Sequence, residues 1–414
     1  MKLAKYSFGT GDRFGQQGAA QLEAIRMAEE AGVELGIVWN KSQREHGIVG
    51  TLPADVRHEA DEAVRAANWK GSYHVDADHI NLTNVDAFLE PSDFFTIDVA
   101  DFIGKKAVDA DLADFVARFS CENDRLTIEG IAEPLTVNDE KLTVIAEKYL
   151  FAVQQAAAIY RHIEGKKGED TFITEVSMDE TAEPQTPAEL FFILAAIALH
   201  GIPVQTIAPK FTGRFNKGVD YQGDVARFNQ EFSDDICVIR RAVADFGLPA
   251  DLKLSVHSGS DKFSIYPGIR RAMAAHDAGV HIKTAGTTWL EELIGLAEAG
   301  GAAAAMVKGI YAVSYSRFEA LCRPYASVID IDRGALPHPD TVTAWTHDRL
   351  ARAIRHDQSC PDYDRNLRQL LHVGYKVAAE LGEAYLTALA KHRDGVGRQV
   401  RDNLFLRHIK PLFL

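Results

Sequence analysis

A (β/α)8 barrel of the TIM type is the fold this sequence predicts, with a small insertion after the fourth strand and a helical C-terminal region. Three observations lead there. Eight short β-prone runs alternate with longer amphipathic stretches, the pattern of parallel strands joined by helical crossovers. The eighth such unit ends near residue 300, a length that suits this barrel. The ends of the runs are unusually polar, and in this fold the active site gathers where strands end. A doubly wound open sheet is the alternative reading of the same alternation.

The runs can be taken in order. "KYSFGT" (5–10) precedes the amphipathic stretch "GQQGAAQLEAIRMAEEAG". "VELGIVWN" (33–40), "SYHVDAD" (72–78) and "FFTIDVA" (94–100) complete the first half. Residues 101–140 interrupt the pattern: "DRLTIEG" and "EPLTVND" read as a small β excursion, and residues 141–165 as a long helix. The second half holds "FITEVSM" (172–178), "IPVQTIAP" (202–209), "KLSVHSG" (253–259) and "VHIKTAG" (280–286). Its crossovers include "TPAELFFILAAIALHG" and "DVARFNQEFSDDICVIRRAVADFG". The expected division is therefore a catalytic barrel over 1–300, with its insertion at about 101–140, and a helical region over 301–414 packed on it. No internal repeat and no low-complexity linker stands out.

Composition narrows the function. A formal charge of −14 argues against nucleic acid as a partner. No run approaches the roughly 18 apolar residues of a membrane span, and the N-terminal "MKLAKYSFGTGDRFG" lacks the apolar core of a signal peptide. Cys121, Cys237, Cys322 and Cys360 are scattered without a CxxC. A cytoplasmic protein with reduced thiols and no thiolate zinc site is expected. Self-association is left open.

The candidate site residues lie at the run ends. Asp76, Asp78 and His79 close the third, and Glu175, Ser177 and Asp179 share one face of the fifth. Lys210 ends the sixth, His257 the seventh, and the eighth carries His281 and Lys283 on one face. Any one of these has a structural reading: a hydrogen-bonded histidine, a turn-forming Asp78, a salt-bridged lysine. Glu175 inside an apolar run is harder to dismiss, because unpaired carboxylates are rarely buried. Three strand-end histidines, His79, His257 and His281, point to a divalent cation. Imidazole plus carboxylate suits Zn, Mn, Co or Ni. Such an ion would polarise a carbonyl or stabilise an enediolate, while Asp78 and Glu175 could move protons. The loop "HSGSDKF" offers small residues and Lys262 as a cradle for a carboxylate or phosphate, with Asp261 beside it. Lys210, Asp261, Lys262 and Lys283 are the candidate substrate contacts, the lysines as partners for an anionic group. "FGTGDRFG" is not a dinucleotide fingerprint, since no ribose-binding acid follows it at the right strand.

In this order, "YSFGTGDRFG", "DADHI", "EVSMDE", "GVDYQGD", "LSVHSGSDKFSIYP" and "HIKTAGTTWLE" together resemble the tagaturonate epimerase family of hexuronate catabolism, from about residue 5 to residue 290. "LHVGY" near residue 371 resembles that family's C-terminal part. Some members carry a further segment ahead of "SFGTGD". The resemblance implies metal-dependent interconversion of D-tagaturonate and D-fructuronate. It implies Asp78 as proton acceptor, Glu175 as proton donor, and His79 and His257 as metal ligands; His281 is either the third ligand or a group that orients the substrate.

The two ketohexuronates differ at a hydroxyl-bearing carbon β to the ketone, so no carbonyl stabilises a carbanion there. Retro-aldol cleavage is the expected route: the hydroxyl is deprotonated, the C–C bond breaks, the metal holds the enediolate, and the aldehyde re-adds through its other face. "DADH" and "HSGS" are also similar to loops of class II aldolases, an analogy of fold that says little about substrate. A class II aldolase-like lyase or metal-dependent sugar isomerase is the alternative within enzymes. A non-catalytic sugar-acid binding protein is the alternative outside them.

Overall fold

The computed structural model describes residues 1–120, 124–284 and 286–414. Eight parallel strands close into a barrel: β1 (Tyr6–Thr10), β2 (Gly36–Ser42), β3 (Tyr73–Ile80), β4 (Phe94–Asp98), β7 (Ile173–Ser177), β8 (Thr206–Ala208), β9 (Lys253–Val256) and β10 (Val280–Lys283). β1 pairs with both β2 and β10, which closes the ring. The eight predicted runs are these eight strands, and the fold is the (β/α)8 barrel.

The expected excursion is present between β4 and β7. A helix over Asp109–Phe119 leads to β5 (Arg125–Leu126) and β6 (Leu135–Thr136), an antiparallel pair outside the barrel. Cys121 lies outside the described residues. The long helix spans Asp139–Lys167, and Asn138 caps it by accepting the Lys141 N–H. The crossover helices start where their sequences say they should. Thr186 and Glu189 form a capping box with Pro187 in the first turn, and Asp224 caps the helix Val225–Phe246. From Gly301 onward every named element is helical.

Strand alternation sorts the side chains. Ile37, Trp39, Val75, Ala77, Phe95, Ile97, Val176, Ile207, Leu254 and Ile282 face outward into the core shared with the helices. Leu3, Val38, Phe94 and Ile173 form a separate apolar cluster that plugs the barrel floor. Above this plug the interior turns polar, with Asp76, Thr96, Glu175, Thr206, Ser255, His281 and Lys283 all buried. Burial of that many polar groups needs a closed network of partners. Among the described residues, no helix is long and apolar enough to cross a membrane.

Candidate active site

The barrel mouth is built from the ends of β3, β7, β9 and β10. In a regular strand Asp78 and His79 would face opposite sides. Here the β3–β4 register shifts between Ala77 and Ile80, and His79 takes a left-handed φ of 55°. Such a backbone costs on the order of 1–3 kcal/mol for a side chain other than glycine. It turns both side chains to the mouth, where both line the same cleft.

His79, His257 and Asp179 meet there, with one potential ligand atom each inside a span of 4.8 Å. His257 Nδ1 lies 3.0 Å from Asp179 Oδ1, and His79 Nε2 lies 3.5 Å from the same oxygen. The far nitrogen of each ring is held by another carboxylate: His257 Nε2 by Glu175 at 2.7 Å and His79 Nδ1 by Asp78 at 3.0 Å. Imidazoles that ligate metals are commonly oriented this way, donating the second N–H to a carboxylate. The donor set, two imidazoles and one carboxylate with their outer partners in place, fits a divalent cation.

Lys283 sits at the floor of this group. Its ammonium donates to Asp76 at 2.7 Å, to Asp78 at 3.0 Å and to Thr96 Oγ1 at 2.5 Å, and lies 3.0 Å from Glu175. Burial opposes its charge, but the three carboxylates hold its pKa well above the usual lysine value. Burial likewise opposes ionisation of Glu175, and Lys283 with His257 overrides it, keeping the carboxyl well below its usual range. Lys283 and His79 do the same for Asp78. Asp76 is pushed up to about 6, because burial there outweighs the attraction of Lys283. Burial also disfavours charge on His257, yet Asp179 and Glu175 hold it at about 8.

The remaining predicted residues fall in different places. His281 is level with Ser255, one inward step below His257. Its Nδ1 pairs with Ser7 Oγ at 2.9 Å, its ring lies 5.3 Å from that of Phe94, and its Nε2 has no partner among the described residues. Burial takes its pKa down to about 3. The structure therefore groups Asp179, not His281, with the two mouth histidines. Glu175 is fully buried beneath His257 and does not line the cleft, whereas Asp78, Lys210 and Lys283 do.

Asp261 and Lys262 lie behind the cleft wall, away from its lining. All three N–H bonds of the Lys262 ammonium end on backbone carbonyls, those of Asn216, Val219 and Ser260, at 2.7–2.9 Å. Asp261 accepts two bonds from Arg368 at 3.1 Å and one from His356, and its N–H donates to His408. These contacts tie the loop after β9 to the C-terminal helices. Arg368 and Asp261 are both completely buried, so removing one partner strands a charge. Arg368→Met is expected to cost about 3–5 kcal/mol, read as urea denaturation at pH 7. Burial opposes charge on Asp261, but Arg368 depresses its pKa well below normal. Its contribution is therefore complete above the unfolded value and lost as pH falls, and the gap between variant and wild type should narrow in acid.

The cleft, about 500 Å³ in volume, also shows what sequence reasoning passed over. Arg13 after β1, Arg44 after β2 and Arg214 and Lys217 after β8 line it. So do Tyr325 and His372 from the helical region, which thus supplies one wall. Only "FGTGDRFG" and "LHVGY" had drawn notice to Arg13 and His372.

Comparison with known proteins identifies the family. The model of the UxaE family, tagaturonate epimerase, matches residues 1–391. The tagaturonate/fructuronate epimerase of Thermotoga maritima is 28% identical over 382 residues, which is 89% of this chain and 72% of that protein. Crystal structures of fructuronate-tagaturonate epimerase UxaE from Cohnella laeviribosi share the fold at 21% identity. The form with one glycerol has a TM-score of 0.82 and the native form 0.80, each covering 98% of this chain and 81% of theirs. A match to the family model that runs from the first residue through β10 and on past His372 leaves one conclusion: the chain belongs to the UxaE tagaturonate epimerase family.

Proposed function

We propose that this chain is an isomerase that interconverts D-tagaturonate and D-fructuronate by breaking and remaking the bond between carbons 3 and 4. The observation that carries the reading is the pair of mouth histidines, each facing Asp179 with one nitrogen and bonded to a carboxylate with the other, in a chain of this family. His79, Asp179 and His257 would hold a divalent cation, which supplies Lewis acidity toward the oxygens of the ketone end.

The rest of the chemistry falls to this chain's own groups. Asp78 lines the cleft as a carboxylate and is placed to take the proton of the hydroxyl on carbon 4. The electrons of that O–H bond form the new carbonyl, and those of the C3–C4 bond pass to the ketone side as an enediolate. Rotation of the aldehyde before re-addition inverts carbon 4, and the proton returns to the new alkoxide. Glu175 is the proposed proton donor. It lies one hydrogen bond behind the floor as a carboxylate, and Lys283 touches both it and Asp78. Once Asp78 holds the hydroxyl proton, Lys283 can give a proton to Glu175 while taking that of Asp78, and the reverse transfers return it through Asp78 to the new alkoxide.

A labelling experiment tests the route. The hydrogen on carbon 4 never leaves carbon when the C–C bond breaks. D-Tagaturonate deuterated there, incubated with metal-reconstituted protein and followed by NMR, should give D-fructuronate with the label retained. Turnover in D₂O should leave that carbon unlabelled. Solvent deuterium at carbon 4 would rule out the retro-aldol route. No D-fructuronate at all would rule out the function.

A further inference from the structure

The cleft carries both signs of charge. Glu45, Asp78, Asp98, Asp179 and Glu180 line it, and so do Arg13, Lys217 and His372. These last three come from three distant segments: the loop after β1, the loop after β8, and the helix Arg365–Val373. We propose that Arg13, Lys217 and His372 form the subsite that takes the carboxylate of the sugar acid, with His372 delivered by the C-terminal region. The assignment rests on the hexuronate reading above.

Several observations support it. The Lys217 ammonium donates to Ser258 Oγ at 2.7 Å, a neutral partner, and forms no ion pair among the described residues. Burial lowers its pKa against the opposing pull of Asp179, Glu180, Glu45 and Asp78. Arg13 uses Nε on Glu45 at 2.9 Å and Nη1 on the His372 carbonyl at 3.1 Å, and its guanidinium stacks 3.9 Å above the Tyr375 ring. Its Nη2 has no partner among the described residues. His372 is only 2% exposed, and its Nδ1 is buried without a partner among the described residues. Buried polar nitrogens without partners are costly and uncommon.

Backbone geometry brings these groups together. Gly286 has a φ of +104°, and a Cβ there would lie 2.7 Å from His372 Nε2 and 3.2 Å from Arg13 Nη2. Both nitrogens therefore border one glycine, and a side chain would push into them. The other side of the imidazole packs on Gly218, next to Lys217, where an added Cβ would meet His372 Cδ2 at 3.5 Å. Burial and the neighbouring Arg13 and Lys217 keep the imidazole neutral, so it can donate one N–H without adding a third charge. A carboxylate would accept from the free guanidinium nitrogen, the ammonium and the imidazole together. Of the other candidate lysines, Lys262 is committed to three carbonyls and Lys283 to three carboxylates, while Lys210 also lines the cleft.

The test compares a charged with a neutral ligand. Titration calorimetry would measure D-tagaturonate and D-tagatose, which carries a hydroxymethyl group in place of the carboxylate. The proteins are wild type, Lys217→Met, Lys217→Arg and His372→Asn, each checked for an unchanged circular-dichroism spectrum. Lys217→Met and His372→Asn should weaken D-tagaturonate binding about 10- to 100-fold, the scale of a hydrogen bond to a charged group. Lys217→Arg should recover most of that loss, and D-tagatose binding should not change. Unaltered D-tagaturonate binding in Lys217→Met and His372→Asn overturns the subsite, as does an equal loss for both sugars or no binding to wild type. Turnover of wild type is scored separately. Turnover with unaltered binding in the variants sinks the subsite and keeps the function, and selective binding without turnover does the reverse.

Discussion

His79→Ala, His257→Ala and Asp179→Ala are each expected to lose bound divalent metal and to lower kcat/KM by roughly a thousandfold. That figure corresponds to the several kcal/mol that a metal ion supplies as a Lewis acid. The argument is geometric. The three side chains present one ligand atom each within 4.8 Å, and the far nitrogens of the two imidazoles are fixed by Asp78 and Glu175. Elemental analysis of each purified variant gives the metal content, and chelation of wild type followed by added metal gives the reversible counterpart. His281→Ala is the informative contrast. His281 lies one step deeper in the barrel, against Phe94 and Ser7, so its loss should leave metal content unchanged. Full metal occupancy in both His79→Ala and His257→Ala would dismiss them as ligands.

The fold was legible because the physics that sets it is periodic. Parallel strands buried on both faces read as apolar runs, and the crossover helices carry their own caps. Where boundaries moved, the cause is local. The run 202–209 shrinks to Thr206–Ala208, because Pro203 and Pro209 cannot donate to a sheet ladder.

The site was legible only in part. Asp78, His79, His257 and Lys283 could be singled out because polar groups at strand ends converge in this architecture, and all four line the cleft. Strand spacing gives the direction of a side chain but not its depth, so His281 stayed open between metal ligand and substrate contact, although it sits one layer below His257. Asp179 was visible beside Ser177 and Glu175, but it lies past the end of β7, where strand periodicity no longer predicts direction. The loop holding Lys262 has the composition of an anion cradle. Whether its ammonium meets substrate or backbone carbonyls depends on the chain at Asn216 and Val219, far away in sequence. The same distance hid the convergence of Arg13, Lys217 and His372.

Asp78→Asn and Glu175→Gln carry the second large effect, an expected fall in kcat of about 10²- to 10⁴-fold. Both substitutions keep shape and an acceptor oxygen while removing the capacity to take up a proton. Each carboxylate has two contacts that matter, an imidazole of the metal triad and the Lys283 ammonium. Two roles must therefore be separated. If a carboxylate serves only to orient its histidine, the substitution weakens metal affinity by about 10- to 100-fold, and saturating metal restores kcat. If it moves the proton, kcat stays low with the metal site full. The proton-transfer role predicts the second outcome for both residues. For Asp78 the contact with substrate is direct, since it lines the cleft. For Glu175 the path runs through Lys283, so Lys283→Met should reproduce the Glu175→Gln defect and the double variant should add little to it, as residues acting in one relay are not additive. Measuring kcat against metal concentration for each variant decides the matter. Recovery to near the wild-type rate at saturating metal would reassign that carboxylate from proton transfer to histidine positioning.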